Sequence, residues 1–311
     1  MFYKCTSLTT APVLPATTLA ESCYQNMFQG CASLTTAPEL PATTLTDYCY
    51  QNMFQGCTSL TTAPELPATT LANYCYQGMF WNCKSLTSAP VLPSTTLAQS
   101  CYGQMFINCK SLTTAPVLPA TTLANYCYQY MFQNCTSLTA APALPARTLK
   151  DSCYNGMFNG TNVLPDCSNI DFASSTVVAS GGLKGLFSGT KVTDNDLERL
   201  LPKNDNGRYY LPVTTLASSC YKYMFEDCKS LTTAPELPAT TLVGGCYQNV
   251  FKGCTSLNYI KCLATDISAS NCTAGWVNKV ASTGTFVKNP DMTSWTEGVS
   301  GIPTGWTVQD A

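Results

Sequence analysis

The sequence predicts an α/β solenoid, with short parallel strands on one face, short helices on the other and a small β-rich C-terminal cap. Three observations lead there. Met-Phe pairs begin at Met1, Met27, Met53, Met79, Met105, Met131 and Met157, each 26 residues after the last. A period of that size marks stacked supersecondary units rather than a closed globule. Each unit joins a stretch of helical period to a short extended stretch, punctuated by Gly or Asn and by Pro. Differences among the copies fall where that reading places solvent, as at Asp47, Asn73 and Gln99.

Read from Met53, the unit is MFQGCTSLTTAPELPATTLANYCYQG. In the copy that opens at Leu45, Thr44 suits an N-cap. At 100° per residue, Leu45, Thr46, Cys49, Tyr50, Met53 and Phe54 share one half-circle, and Asp47, Tyr48, Gln51 and Asn52 the other. That pattern predicts an amphipathic helix of about three turns. Gly56 follows, in a column that also holds Gly30, Asn82, Asn108 and Asn134, residues that accept the left-handed conformation ending a helix.

Beyond the stop, Cys57, Ser59, Leu60, Thr61 and Thr62 read as extended chain, and Pro64-Glu65-Leu66-Pro67 turns it back. Proline donates nothing to a sheet ladder, so the strand is confined to about Ser59–Ala63. Stacked coils then rise about 4.8 Å each on the strand side.

Regularity lapses after Met157. The next equivalent pairs, Leu186-Phe187 and Met224-Phe225, follow at steps of 29 and 38, so degenerate enlarged units occupy about 157–223. Within the irregular segment Asn159–Tyr210, TDNDLERLLP reads as a capped helix with Leu197, Leu200 and Leu201 facing in. The insertion is either a binding element or a kink in the array. The expected organisation is a repeat array over 1–277 and a cap over 278–311, where Trp, Gly and Thr mark short strands and turns. Met1 stands in the register of the repeat with no charged-then-apolar leader before it, which points to the inner part of a longer chain or a trimmed one.

Composition follows from the unit. Charged residues are 11 % of the 311, against about 25 % ordinarily. Net charge is −2, which supplies no basic footprint for nucleic acid. Histidine is absent, which excludes imidazole-dependent triads and His-ligated metals. No apolar run approaches the ~18 residues of a membrane helix.

With the unit spelled out, the chain resembles the BspA-like leucine-rich repeats of bacterial surface proteins. That family's aromatic, Cys, Ser-Leu, Pro and pre-helix Leu places are filled here by Phe54, Cys57, Ser59-Leu60, Pro64 and Leu71. Two features depart from the pattern: extra residues before Met-Phe, and Ala-Pro-Glu-Leu-Pro in place of a plainer strand. The resemblance implies a leucine-rich-repeat solenoid at the cell surface or outside the cell. It also implies non-enzymatic adhesion to a protein or glycan on a host or neighbouring cell, with no cofactor, no catalytic residue and no membrane span in this chain. Similar arrays occur in phage tail-associated proteins. The alternative function is a structural spacer or display rod, whether in a bacterial stalk or in a phage.

Most of the 19 cysteines fall in two columns, one running Cys5, Cys31, Cys57 onward and the other Cys23, Cys49, Cys75 onward; Cys167, Cys262 and Cys272 stand outside them. Zinc needs closely paired ligands, and no such spacing occurs. A repeated inward position suits a buried reduced thiol acting as a small hydrophobe. Bridges between the columns are the alternative.

Three surfaces are candidates for contact. Glu39 and Glu65 share a column about 5 Å apart, a retaining-glycosidase spacing, but nothing provides a pocket, and a solvated rim pair is the preferred reading. Ranks of Thr, including Thr35-Thr36 and Thr61-Thr62, could order water, yet Thr also favours strands and caps. The third is the variable outer face of the expected helices: Trp81 and Ile107 at the helix end, with Tyr48, Tyr74, Tyr126 and Tyr130. Exposed aromatics in a thinly charged setting suit protein or carbohydrate contact.

Overall fold

The computed structural model describes residues 1–164 and 180–311; Cys167 and part of the irregular segment lie outside them. The chain forms two compact units, one of Met1–Ala146 with Gly156–Pro165, the other of Arg147–Asn155 with Asp166–Ala311.

The first unit is a stack of 26-residue coils. Its expected helices are absent, and a ribbon of overlapping β-turns takes their place. Between Thr46 and Cys57, alternate N–H groups close turns within the coil: Cys49 donates to Thr46 (3.3 Å), Gln51 to Tyr48 (3.1 Å), Met53 to Tyr50 (3.2 Å) and Gln55 to Asn52 (3.1 Å). The intervening N–H groups reach the next coil: Tyr50 donates to Cys75 (3.0 Å), Asn52 to Gln77 (2.8 Å), Phe54 to Met79 (2.9 Å) and Gly56 to Trp81 (2.7 Å). Every fourth residue takes a positive φ: Tyr48 (59°), Asn52 (54°) and Gly56 (76°).

The reason lies in the stacking distance. Phe2, Phe28, Phe54, Phe80, Phe106, Phe132 and Phe158 form one continuous stack with ring centroids 5.5–5.8 Å apart. Tyr24, Tyr50, Tyr76, Tyr102 and Tyr128 form a second at 5.7–6.0 Å. Packed helices stand about 8–10 Å apart, too wide for one per coil at this repeat. A flat turn ribbon fits, and it shares its hydrogen bonds with its neighbours.

On the opposite side, parallel pairing is present but reduced to single bridges. Thr10, Thr36, Thr62, Ser88 and Thr114 form one parallel row, and Thr44–Thr70 and Thr96–Thr122 belong to another. Leu34, Leu60, Leu86 and Leu112 are buried behind the first row. Among the described residues of this unit, no backbone–backbone bond joins the Ala-Pro-x-Leu-Pro loops of successive coils. Proline supplies no N–H at two positions of each loop, which removes donors that such a ladder would need.

The cysteine columns lie inside. Cys57, Cys83, Cys109 and Cys135 are fully buried, and each Sγ donates to a Phe carbonyl of the preceding coil, those of Phe28, Phe54, Phe80 and Phe106, at 3.0–3.2 Å. Where the column changes to Thr161, its Oγ1 donates instead to the Phe158 carbonyl of its own coil at 2.8 Å, so the position still holds a small buried donor.

The second unit keeps the ribbon: Tyr221 donates to Cys246 (3.1 Å) and Tyr247 to Cys272 (2.8 Å). Cys272 therefore continues the second column, contrary to the expectation that it stands outside. TDNDLERLLP forms a 3-10 turn, Asp194–Asp196, leading into α1, Leu197–Leu200, with a capping box between Thr193 and Asp196. Leu197, Leu200 and Leu201 are buried as expected. Three four-residue strands close the unit, β1 (Tyr259–Cys262), β2 (Thr285–Lys288) and β3 (Thr307–Asp310). They form a parallel sheet in that order, with Tyr259 opposite Thr285 and Thr285 opposite Thr307. The bridge from Thr233 to Tyr259 ties β1 to the preceding coil. Trp276, fully buried, donates Nε1–H to the Gly301 carbonyl (2.8 Å) and stacks on Trp295 at 5.5 Å.

Candidate binding surface

The aromatic candidates lie along the turn ribbon of the first unit, in three adjacent columns. Tyr48, Tyr74 and Tyr126 occupy the first left-handed position of their ribbons at φ of 59–60°, and Tyr130 the second at 54°. A left-handed φ costs an L-residue about 1–2 kcal/mol. Elsewhere in the fold the first of these positions is filled by Ser22, Ser219, Gly245 and Asn271, so the backbone itself does not call for tyrosine.

The Tyr48 and Tyr74 rings stack face to face at 4.8 Å, and Gln99 Nε2–H donates to the Tyr74 hydroxyl at 2.6 Å. Tyr126 is the most open of the four at 38 % exposure. Ser100 separates it from the stacked pair in the column. The Tyr130 ring lies over Gly156, where a Cβ would collide with it. Amide ladders flank these rings: Gln51 Nε2–H donates to Gln77 at 2.5 Å, and Asn134 and Asn108 each donate to the Asn of the preceding coil at 3.0 Å.

Trp81 and Ile107 are neighbours in consecutive coils, joined by the Asn82 N–H to Ile107 carbonyl bond (2.8 Å). They do not form the exposed pair expected. Ile107 is only 6 % exposed and belongs to the packed interior. Trp81 is half-buried, with its Nε1–H buried and without a hydrogen-bond partner among the described residues.

The largest exposed aliphatics lie instead on the Pro loops. Val13, Val91 and Val117 are 82 %, 78 % and 79 % exposed, in the column that holds Glu39 and Glu65. The sequence carries a signal for this: in Pro-x-Leu-Pro the Leu is inward and the alternation of extended chain turns x outward. Grooves lie between these loops, one of about 410 Å³ lined by Pro116, Val117, Pro119, Ala141 and Pro142, another of about 490 Å³ beside Glu39 and Glu65.

In the second unit, the inserted segment packs on the strand column. Asp194 accepts from the Thr232 N–H (2.8 Å) and hydroxyl (2.5 Å). Buried Glu236 accepts from Asn204 Nδ2–H at 2.8 Å and lies 3.5 Å from Lys261 Nζ. Arg208 stands over the Tyr259 ring at 5.0 Å. The resulting concavity, about 200 Å³, is lined by Asp194, Arg208, Tyr209, Glu236 and Tyr259, the groups that anchor the insert. Among the described residues no three His, Cys, Asp or Glu side chains converge as metal ligands, and no helix is long and apolar enough to cross a membrane.

The family model for the BspA type leucine rich repeat region, built of six copies, matches residues 1–113 and 77–175, together more than half of the chain. The chain belongs to the BspA-type leucine-rich repeat family. Its BspA-type motif residues are the ones that hold the coil together: Phe54 in the ring stack, Cys57 on the Phe28 carbonyl and Leu60 behind the bridge row. Two solved structures are similar. A leucine-rich repeat protein from Bacteroides ovatus aligns at 14 % identity and a TM-score of 0.40, over 100 % of this chain and 85 % of that one. A leucine rich cell surface protein from Faecalibacterium prausnitzii aligns at 15 % identity and 0.36, over 83 % and 74 %. No curated protein matches the BspA-type chain in sequence.

Proposed function

We propose that the protein is a non-enzymatic binding module of the cell surface, adhering to a protein or glycan through the ribbon face that carries Tyr48, Tyr74 and Tyr126. The observation that carries this reading is the placement of large aromatics at left-handed positions. The same positions accept Ser, Gly or Asn elsewhere in the chain, and tyrosine there opposes the intrinsic backbone preference. Tyr is an economical contact residue, apolar across its ring and polar at its tip. Membership of a repeat family of bacterial surface proteins supports the cell-surface setting. Read this way, residues 278–311 close the array and residues 1–277 present it.

The test is a glycan array together with a pull-down from host-cell surface extract, run on the full chain and on Tyr48→Ser/Tyr74→Ser/Tyr126→Ser. The expected result is a specific ligand whose binding weakens about tenfold or more in the triple variant. Binding that survives the triple change unaltered would falsify the ribbon site. No specific binding in either assay would favour the spacer reading.

A further inference from the structure

The Pro-loop row lies on a different part of the coil from the ribbon face and extends the binding reading to a second surface. We propose that this row docks an extended peptide segment of a partner protein, with basic residues over Glu39 and Glu65 followed by apolar residues over Val91 and Val117.

Exposure comes first. Val91 and Val117 stand in the same column of consecutive coils with almost four-fifths of their surface open, two neighbouring aliphatics turned to solvent. Shape is the second argument. A groove of about 490 Å³ lies between the Glu39 and Glu65 loops and one of about 410 Å³ between the Val117 and Ala143 loops, so a side chain can be seated at each end of the row. Charge is the third. Glu39 and Glu65 are exposed, stacked one coil apart, and neither has an ion-pair partner among the described residues. Like charges set opposite each other repel, so a Lys or Arg laid between them relieves that repulsion as well as adding an attraction.

Backbone chemistry is the fourth argument, and the chain supplies its own precedent. In the first unit the peptide groups of these loops have no backbone partner in the neighbouring coil. In the second unit the equivalent loop meets one segment where Tyr209 stands in place of the first repeated proline and another, 259–264, that has no proline, and it pairs with both. There Glu236 N–H donates to Tyr209 (2.9 Å), Leu211 N–H to Glu236 (2.9 Å) and Leu237 N–H to Lys261 (2.9 Å). The Ala-Pro-x-Leu-Pro loop is therefore competent to pair with extended chain, and in the first unit that capacity is unused. The unpaired N–H and C=O groups of the loops give an extended chain that crosses them hydrogen-bond partners beside the side-chain grooves. From Glu39 to Val117 the row runs about 17 Å at the core's ring repeat, the length of about five extended residues. Walls of Pro, Ala and Val offer few partners for sugar hydroxyls, and the two glutamates repel an anionic membrane. A peptide is the occupant that fits.

The probe is a phage-displayed library of random twelve-residue peptides, panned on the full chain, with selected peptides synthesised and titrated by fluorescence anisotropy. The expected peptides carry Lys or Arg beside Leu, Phe or Trp. Their affinity falls about tenfold or more with Val91→Ser/Val117→Ser, and their salt dependence shrinks with Glu39→Gln/Glu65→Gln. All four substitutions are at exposed tips, and an unchanged thermal midpoint verifies the fold. Tyr48→Ser/Tyr74→Ser leaves this affinity unaltered, which separates the row from the ribbon face. No enriched peptide, acidic peptides, or peptides that respond to the tyrosine variant and not to the loop variants would each overturn the proposal.

Discussion

At the residue scale, the cysteines show how a repeated position is chosen. The coil interior needs a small side chain that donates one hydrogen bond to a carbonyl already engaged in a turn. Cys57 and its equivalents do this, and Thr161 and Thr190 do it with a hydroxyl, at 2.8 and 2.6 Å from Phe158 and Phe187. Burial drives these thiols upward from 9.0: Cys49 and Cys246 to about 11, and Cys57, Cys127, Cys135, Cys220 and Cys228 to about 12. The sign for stability follows. Below about pH 8.5 both folded and unfolded thiols are protonated and the stabilisation is intact. Between that value and 11–12 only the unfolded chain releases protons, so each such thiol removes about 1.4 kcal/mol of stability per pH unit. Urea midpoints in reductant are therefore expected to drop steeply from pH 8 to pH 10. A midpoint that holds constant across that range would contradict a ladder of buried reduced thiols. That cysteine sits inside was legible from the columns alone; the Phe carbonyl it serves was not, because that carbonyl is 29 residues away.

At the scale of the element, the helix expected over Leu45–Gly56 and the ribbon observed differ by very little in sequence. A helix buries residues at a period of 3.6 and the ribbon at a period of 4, as Cys49-Tyr50, Met53-Phe54 and Cys57 show. Over ten residues those periods drift by about one position, so both leave the same side chains inside. A distinguishing signal was present in the column of Asn26, Asn52 and Gly78, left-handed residues in the middle of a supposed helix. The column of Tyr48 and Tyr74 carried no such mark. Gly56 provides the test. A Cβ there meets only the Gly30 backbone, at 3.6 Å or more, so the cost of substitution is conformational. Gly56→Val is expected to lose about 1–2 kcal/mol, read as a lowered urea midpoint. Gly56→Asn is expected to be close to neutral, because Asn82, Asn108 and Asn134 already hold the column at φ of 58–61°, and Asn adds a rung to their amide ladder. Equal losses for both would contradict a left-handed backbone at Gly56.

At the scale of the whole molecule, each coil is held by its neighbours, and the contacts change character in the coils from Tyr259 onward. The final strands lengthen to four residues, and Trp276 takes the place of the repeated Met, with Trp295 stacked on it and Phe286 edge-on at 6.0 Å. Trp276→Ala removes that cluster and the indole bond to Gly301, and is expected to cost about 3 kcal/mol or more, seen as a lowered thermal midpoint with loss of near-ultraviolet circular dichroism. An unchanged midpoint would mean that these coils are held elsewhere. The sequence by itself determined the period, the solenoid class, the inward columns of Leu, Cys and Phe, and the capped Asp194–Leu200 turn, because those depend on local pattern repeated many times. Only the tertiary structure decided that the ribbon replaces the helix and that Ile107 is covered. Those outcomes depend on the distance between coils. A stack repeating every 5.5–5.8 Å admits a flat ribbon and excludes a helix, and no single unit contains that distance.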